Sequence, residues 1–200
     1  MKYVICSIGH TAAGKTTTLK KIASALNVDF ISEGTIKRGL IGETFDVSNS
    51  MDENLRSKGY RLAINEAFYV LNQKSAVIID ASFHQSFRRK WVYETAQNNA
   101  LKDIVFIWIY CYCDDISLVQ QRIEKRAQAK IVTADIQARS MDVYTYTMRT
   151  FDKVDIKDFP EQEKSVIIYN NTSKGYVEKI QYSCNFQDDF VEKIIGAIYG

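Results

Sequence analysis

Short apolar runs alternate along the chain with longer amphipathic stretches. The apolar runs predict five strands, at residues 3–8, 28–31, 77–79, 104–110 and 166–169. Four of these runs are rich in Val and Ile and lack a clean alternation of apolar and polar residues. Such runs are typical of strands that are buried on both faces of a parallel sheet.

The amphipathic stretches predict helices between those strands. In the longest stretch, Leu55, Leu62 and Ala67 fall close to one face of a helix. The predicted helices cover residues 17–26, 53–71, 87–99, 116–127, 135–151 and 188–199. This alternation predicts a three-layer α/β/α fold around a parallel sheet of about five strands. Residues 172–185 fit either a hairpin or an edge strand.

A phosphate-binding motif follows the first predicted strand. Residues 9–16 match the P-loop pattern G-x-x-x-x-G-K-[ST], and a predicted helix follows directly. In this setting the glycines let backbone N–H groups face phosphate oxygens, whereas a purely structural glycine-rich turn is the alternative. The lysine is expected to reach the β- and γ-phosphates, and Thr16 to bind Mg²⁺. The candidate nucleotide-binding residues here are Gly9, His10, Thr11, Ala12, Ala13, Gly14, Lys15, Thr16 and Thr17, with His10 at a variable position where it can simply fill the loop.

Composition and charge narrow the class of protein. The 200 residues suit a single P-loop domain over 1–200, with a small helical lid at about 126–135 and a C-terminal extension at about 173–200. A formal net charge of +2 gives no support for nucleic acid as a partner and does not exclude it. The four cysteines lack a C-x-x-C spacing, which favours reduced thiols over a metal or redox site. The early first strand leaves no room for a signal peptide, and no apolar run approaches the ~20 residues of a membrane span, so we expect a cytoplasmic protein.

Two further positions suit phosphoryl chemistry. Asp80 ends the third predicted strand, where a carboxylate lies beside the P-loop and can hold Mg²⁺ directly or through water. A turn or helix-capping aspartate is the alternative. Arg122 and Arg126 share one face of a predicted helix beside the lid, from which they could close over ATP and stabilise the transferring phosphoryl group. A solvated basic face is the alternative for this pair.

Other candidates concern the acceptor and the base of the nucleotide. Arg88 and Arg89 begin a predicted helix, where cations oppose the helix dipole, so a role in binding acceptor or phosphate would explain them. A surface basic cluster is the other interpretation. Asn170, Asn171 and Thr172 follow the last core strand, and a loop there could contact adenine, with Asn171 and Thr172 as the candidate residues, or could simply form a turn. His84, in the loop after the third strand, could touch an acceptor.

The motifs together resemble one group of P-loop kinases. This group includes zeta toxins, chloramphenicol phosphotransferase, gluconate kinase and the 5′-hydroxyl polynucleotide kinases. The resemblance covers roughly residues 1–172 and is strongest at the P-loop and at residues 77–83, V-I-I-D-A-S-F. Arg88 or Arg89 matches the arginine that commonly follows this strand end, and Arg122 with Arg126 looks like the lid pair.

The resemblance implies use of ATP and Mg²⁺ and transfer of the γ-phosphoryl group to a hydroxyl, with Lys15, Asp80 and Arg126 among the catalytic residues. In the family, an aspartate after the second strand usually acts as base, in a pattern like S-x-D-x-[IV]-R. Here Gly34 stands at the aspartate position and Lys37 at the arginine position. A shift of one residue would give the base role to Glu33 and the acceptor-binding role to Arg38 beside Lys37.

Three functions remain open from the sequence. The first is an ATP-dependent kinase that phosphorylates a hydroxyl of a small molecule. The second is a polynucleotide or tRNA kinase of the same fold, which would need a basic acceptor face. The third is an ATP-binding regulatory module that has lost phosphoryl transfer, consistent with Gly34, and a zeta-toxin-like kinase is a further variant. The identity of the acceptor and the oligomeric state are left open.

Overall fold

A six-stranded sheet forms the middle layer of the protein, with strand order β2-β3-β1-β4-β5-β6. Strands β1 to β5 run parallel, and β6 pairs antiparallel with β5 at one edge. This computed structural model describes residues 1–41, 52–128, 140–160, 163–186 and 188–200. The strands are β1 (Lys2–Ile8), β2 (Asp29–Ser32), β3 (Ala76–Asp80), β4 (Ile104–Tyr112), β5 (Lys164–Asn171) and β6 (Tyr176–Tyr182).

Helices cover both faces of the sheet, so the predicted three-layer α/β/α fold is confirmed. The helices are α1 (Lys15–Leu26), α2 (Glu33–Ile41), α3 (Glu53–Gln73), α4 (Ser86–Asn98), α5 (Ile116–Gln128), α6 (Met141–Arg149) and α7 (Asp189–Tyr199). The sequence did not predict α2, and the uncertain segment 172–185 contributes the edge strand β6. The predicted lid lies outside the described residues except for 126–128, as does the start predicted for the helix at 135–151.

The lack of alternation in the apolar runs has a structural cause. Along β1, Val4, Cys6 and Ile8 belong to a buried cluster that also contains residues of α3 and α4. Ile5 points the other way and belongs to a second buried cluster with residues of α1 and α7. Because both faces of the strand are covered, both must be apolar.

The strand register brings three predicted site positions to one edge of the sheet. Ser32 in β2 pairs with Asp80 in β3, so Glu33 leaves the sheet beside Asp80. β1 lies next to β3 and runs in the same direction, and Gly9 follows its last residue. Ligands of open parallel sheets bind at this carboxyl edge.

The four cysteines all carry free thiols, and three of them, Cys6, Cys111 and Cys113, are buried. Among the helices that the structure describes, none is long and apolar enough to cross a bilayer.

Candidate nucleotide and acceptor site

The P-loop between β1 and α1 depends on two glycines. Gly9 has φ of 151°, and a Cβ atom there would lie 2.2 Å from the carbonyl oxygen of Cys111 in β4. Gly14, which caps α1, has φ of 86°, and its Cβ would lie 3.1 Å from Thr172 Cγ2. The loop therefore packs tightly against the ends of β4 and β5, and its backbone lies at the N-terminus of α1, the kind of position at which phosphates bind.

Side chains within the loop are held by local contacts. Lys15 Nζ donates to the carbonyl oxygen of His10 at 2.7 Å. The His10 ring is buried, its Nδ1 donates to the Thr11 carbonyl at 2.7 Å, and it packs edge-on against Tyr144 at 5.2 Å. Burial lowers the pKa of His10, so the ring is neutral at pH 7. These contacts favour loop filling by His10 over contact with phosphate.

The predicted metal residues meet at the carboxyl edge. Thr16 Oγ1 donates to Asp80 Oδ2 at 2.8 Å, although 64 residues separate them. A hydroxyl and a carboxylate oxygen beside a phosphate cradle match the oxygen ligands that Mg²⁺ takes when it is shared with phosphates. Within the described ranges there is no cluster of three or more His, Cys, Asp or Glu that could hold a metal without help from a ligand.

Arg122 links the lid-side helix α5 to the P-loop. Its guanidinium donates to the carbonyl oxygen of Ala12 at 3.0 Å and to both the hydroxyl and the carbonyl of Thr172, each at 3.1 Å. The Thr172 hydroxyl also donates to the Ala13 carbonyl at 2.9 Å. Arg122 and Thr172 therefore contact each other and the P-loop.

A cleft of about 590 Å³ opens beside these residues. Its walls include five predicted nucleotide-binding residues, namely Gly14, Thr17, Arg122, Arg126 and Thr172. The size suits a nucleotide, since small-ligand sites typically occupy ~300–1,000 Å³. Besides Asn170, the other lining residues are ones that the sequence analysis did not single out: Thr18, Lys21, Lys125, Gly175, Ile198 and Tyr199.

Of the two asparagines in the predicted loop, the structure places Asn170 in the wall of this cleft and not the candidate residue Asn171. The two residues are neighbours at the end of β5, where successive side chains point to opposite faces of the sheet. Asn170 Nδ2 donates to Thr18 Oγ1 at 3.1 Å. Asn171 Nδ2 instead donates to Asp114 Oδ2 at 3.2 Å and to Glu178 Oε1 at 3.0 Å, which ties β5 to its neighbours. In the sequence, Asn170-Asn171 suggested a turn. Which of the two side chains faces the cleft could not be predicted without knowing that β5 continues to Asn171.

The candidate base lies at the start of the unpredicted helix α2. Glu33 is its first residue and is 5% exposed. Lys37, one turn later, is 2% exposed, and its Nζ lies 3.5 Å from Glu33 Oε1. No described residue forms a hydrogen bond to this oxygen. Arg38, next to Lys37, is half-buried.

Helix α3 packs closely on this pair. A Cβ atom at Gly59 would lie 3.0 Å from Glu33 Oε1 and 3.5 Å from Lys37 Cβ. Burial lowers the pKa of Lys37, the Glu33 carboxylate opposes that change, and the charges of Arg56 and Arg88 lower it further. Glu33, Lys37 and these two arginines therefore act on one another in a common environment.

Arg88 is a predicted acceptor residue with no exposed side-chain surface. Its Nη2 lies 2.5 Å from Glu53 Oε1. Its guanidinium stacks on the Tyr60 ring at 4.3 Å, and the Tyr60 hydroxyl accepts a hydrogen bond from the Ser82 amide at 3.1 Å. Tyr60 therefore connects Arg88 to the loop that follows β3.

Arg89 has a different setting, because neighbouring helix residues point about 100° apart. It donates to the carbonyl oxygens of Phe83 at 2.9 Å and Lys153 at 3.3 Å, and lines a separate cleft. The structure does not bring it together with the other predicted acceptor residues. The Asp152 carboxylate accepts from the Ser86 amide at 2.6 Å, which places a negative charge at the start of α4. This charge offsets the cost of cations in that first turn.

His84 lies in the β3–α4 loop and is fully buried. Its Nε2 is 3.2 Å from Thr150 Oγ1, and no described residue is within hydrogen-bonding reach of Nδ1. Burial, followed by the charges of Arg56, Arg88 and Lys15, lowers the pKa of His84 to about 3. The ring is therefore neutral, and three cations surround it.

The residues around Arg88 form what we call the acceptor-side cluster, namely Glu33, Lys37, Glu53, Arg56, Tyr60, His84 and Arg88. The sequence analysis missed three of them: Glu53, Arg56 and Tyr60. All three come from α3, and Arg56 and Tyr60 are four residues apart on one face. The spacing of four residues could have indicated that Arg56 and Tyr60 share a helix face. The sequence alone could not show that α3 packs against α2 and α4, whose residues this face contacts.

Comparison with known proteins agrees with this geometry. A family model described as "AAA domain" (AAA_33) matches residues 4–150. No curated protein sequence matches significantly. Among solved structures, a putative kinase from Chloroflexus aurantiacus superposes with a TM-score of 0.64 at 17% identity, over 86% of this chain and 90% of that chain.

Two more solved structures share the fold. Chaetomium thermophilum Kti12 in complex with ADP-AlF3 has a TM-score of 0.59 at 12% identity, over 98% of this chain and 97% of that chain. A fungal RNA kinase has a TM-score of 0.53 at 16% identity, over 96% and 82% of the two chains. The family match spans well over half of the chain and includes the P-loop, the β3 carboxylate and α5. The chain therefore belongs to the AAA-domain family AAA_33 and has the P-loop kinase fold.

Proposed function

We propose that this protein is an ATP-dependent kinase that transfers the γ-phosphoryl group to a hydroxyl of a small-molecule acceptor. The observation that carries the proposal is the meeting of Thr16 and Asp80 beside the P-loop, with Glu33 leaving the sheet next to Asp80. One edge thus holds a phosphate cradle, oxygen ligands for a cation and a buried carboxylate. Phosphoryl transfer needs those parts more than it needs covalent chemistry from the protein.

In this reaction the acceptor hydroxyl oxygen attacks the γ-phosphorus of ATP. A new phosphorus–oxygen bond forms, and the bond from the γ-phosphorus to the bridging oxygen breaks, so that ADP leaves with that electron pair. The hydroxyl proton passes to the Glu33 carboxylate and then to solvent. Lys15 and Arg126 offset charge on the transferring group. Thr16 and Asp80 would hold Mg²⁺, which when bound neutralises phosphate charge.

Burial on the acceptor side favours a small acceptor. Glu33, Lys37 and Arg88 are each at most 5% exposed, whereas a polynucleotide acceptor calls for an open basic face. The net charge of +2 gives no independent support for nucleic acid.

The test is transfer of label from γ-labelled ATP, with Mg²⁺, to separate pools of small metabolites and 5′-hydroxyl RNA. Label should move to a metabolite, and Lys15→Ala should reduce transfer by about 10²–10³-fold. Lys20→Ala is the matched control, because Lys20 is an exposed lysine of the same helix. Label moving only to RNA would replace the proposal with a polynucleotide kinase. ATP binding without transfer to either pool would support a regulatory module.

The role of Glu33 has its own test. Glu33→Gln keeps the size of the side chain but cannot accept the proton, so kcat should fall by about 10²–10⁴-fold. ATP binding should be unchanged, because the P-loop is intact. Glu66→Gln, an exposed change on α3, serves as control. Unchanged kcat in Glu33→Gln would remove Glu33 from the reaction.

A further inference from the structure

The acceptor-side cluster contains more positive than negative charge. Lys37, Arg56 and Arg88 face two carboxylates, Glu33 and Glu53. The charges of Lys15 and Asp152, which have opposite signs, also reach His84 in this cluster. Buried cations normally have partners that match them, because an unpaired buried charge is costly. The two buried cations, Lys37 and Arg88, each have one carboxylate partner, and the excess positive charge comes from half-buried Arg56.

The unsatisfied donors belong to Arg88. Its Nε and Nη1 are buried, and in the described part of the chain they have no hydrogen-bond partner. A guanidinium presents five N–H donors in a planar fork that matches the oxygens of a carboxylate or phosphate. Tyr60 stacks under one face of this fork at 4.3 Å and holds its plane. Arg88 is thus oriented for an oxyanion with more donors than its protein partner uses.

The partner that Arg88 does have can leave. Glu53 stands in the first turn of α3, its side chain is 48% exposed, and its carboxylate reaches Nη2 of Arg88 at 2.5 Å. An exposed carboxylate can rotate into water at little cost, whereas the buried arginine cannot. The Glu53 carboxylate therefore occupies a position that another oxyanion could take in exchange.

We propose that the acceptor carries an anionic group, a phosphate or a carboxylate, and that Arg88 binds this group in exchange for the Glu53 carboxylate. This inference rests on the proposed kinase function for the identity of the ligand as an acceptor. Arg56, half-buried and lying 5.1 Å from the centre of the Tyr146 ring, adds positive charge to the cluster. Glu33 stays beside Lys37 and remains available to take the hydroxyl proton.

Opposite effects of two substitutions distinguish this exchange from a structural ion pair. Glu53→Gln removes the competitor, so anion binding should tighten by about threefold to tenfold. Arg88→Met removes the receptor, so anion binding should weaken by about 10- to 100-fold. Arg56→Gln should weaken binding by a smaller factor, which keeps the test informative if Arg88→Met does not fold. Arg61→Gln is its matched control, because Arg61 also lies on α3 and stacks on an aromatic ring, Trp91 at 4.2 Å.

The measurement is calorimetric binding with the P-loop saturated by Mg²⁺ and a non-hydrolysable ATP analogue. The probes are inorganic phosphate, ribose 5-phosphate with ribose, and gluconate with glucose, so that the two sugar pairs separate phosphate from carboxylate recognition. Charged probes should bind at least tenfold more tightly than their neutral partners. Equal binding of charged and neutral probes, no binding of any charged probe, or a change in the same direction for Glu53→Gln and Arg88→Met would each overturn the inference.

The same probes, given with γ-labelled ATP, separate this inference from the proposed function. Charge-dependent binding with opposite shifts, but no transferred label to any acceptor, would leave the anion site standing and remove the kinase. Label transferred equally to ribose and ribose 5-phosphate would leave the kinase standing and remove the anion site.

Discussion

Single residues set the shape of the nucleotide site, and Gly9 is the clearest case. Its φ of 151° and the nearby Cys111 carbonyl exclude a side chain. We expect Gly9→Ala to lower the free energy of unfolding by about 2–4 kcal/mol and to weaken ATP binding, because the loop must move away from β4. Urea unfolding and ATP binding measure the two effects.

The control for Gly9→Ala is the same change at a glycine with free space. A Cβ at Gly196 in α7 meets nothing within 4 Å, and this residue is helical. Gly196→Ala should therefore raise the free energy of unfolding by about 0.5–1 kcal/mol. Equal destabilisation by both changes would show that Gly9 is not held by the contact with Cys111.

Titration of His84 should make the stability of the protein depend on pH. Its pKa is lowered to about 3 in the folded protein, against an ordinary value of 6.5. Between these two values the unfolded chain binds a proton that the folded protein does not, so acidification favours unfolding. The contribution of His84 to the free energy of unfolding is fully present above pH 6.5. It is lost as the pH falls toward 3, by up to about 1.4 kcal/mol per pH unit.

His84→Gln should flatten this dependence. Urea unfolding gives the free energy of unfolding of both proteins from pH 7 to pH 4. In the difference between the two curves, the titration of the carboxylates cancels because both proteins share it. The wild type should lose stability more steeply than the variant. Parallel curves would show that His84 is protonated in the folded protein, contrary to its burial.

At the scale of single residues, the sequence identified candidate site residues better than it identified the residues that each of them contacts. The P-loop and Asp80 could be read directly because their chemistry depends on consecutive residues or on a strand end. Asn170 and Asn171 could not be told apart, since the choice depends on which face of β5 each occupies. The carboxylate facing Arg88 was equally hidden, because Glu53 and Arg88 come from different helices.

At the scale of elements, α7 is integral to the domain. The sequence analysis placed the C-terminal extension at about 173–200 within a single domain, and in the structure Val191, Ile194 and Ile198 are buried in the core on the α1 side of the sheet. Ile194→Ala should lower the free energy of unfolding by about 2–5 kcal/mol. Ile195→Ala, at the adjacent half-buried position, should cost less than half as much. Equal costs would mean that α7 is not docked as described.

Helix α2 shows why an element can escape sequence prediction. Its nine residues include Gly34 and Gly39, which oppose helix formation. Its formation depends on packing against α3, where Gly59 allows Glu33 and Lys37 to approach. The strands were easier to predict, because each apolar run is both a local preference and a requirement of burial on two faces.

At the scale of the whole molecule, binding of nucleotide should stabilise the fold. The P-loop, α5 and the end of β5 are joined through Arg122 and Thr172, so a ligand in the adjoining cleft contacts several elements at once. With Mg²⁺ and ATP analogue at about 100 times the Kd, Tm should rise by about 5–10 °C.

Removal of Mg²⁺ by EDTA should reduce this shift, because under the proposed function Thr16 and Asp80 hold the cation beside the phosphates. Lys15→Ala should reduce it further, while Lys20→Ala should leave it intact. A shift that is insensitive to both EDTA and Lys15→Ala would place the nucleotide away from the P-loop.

The central position of β1 has a consequence for how the protein is made. Strand β1 precedes both of its partners along the chain: it pairs with β3, and with β4 in a register that joins Lys2 to Ile104 and Ile8 to Tyr110. Its hydrogen bonds to β3 can form only after α1, β2, α2 and α3 have left the ribosome, and those to β4 only after α4 has followed. Meanwhile its apolar side chains are exposed, and such late pairing slows folding and invites aggregation. Factors that shield nascent chains should matter more for the yield of this protein than for one whose neighbouring strands are consecutive.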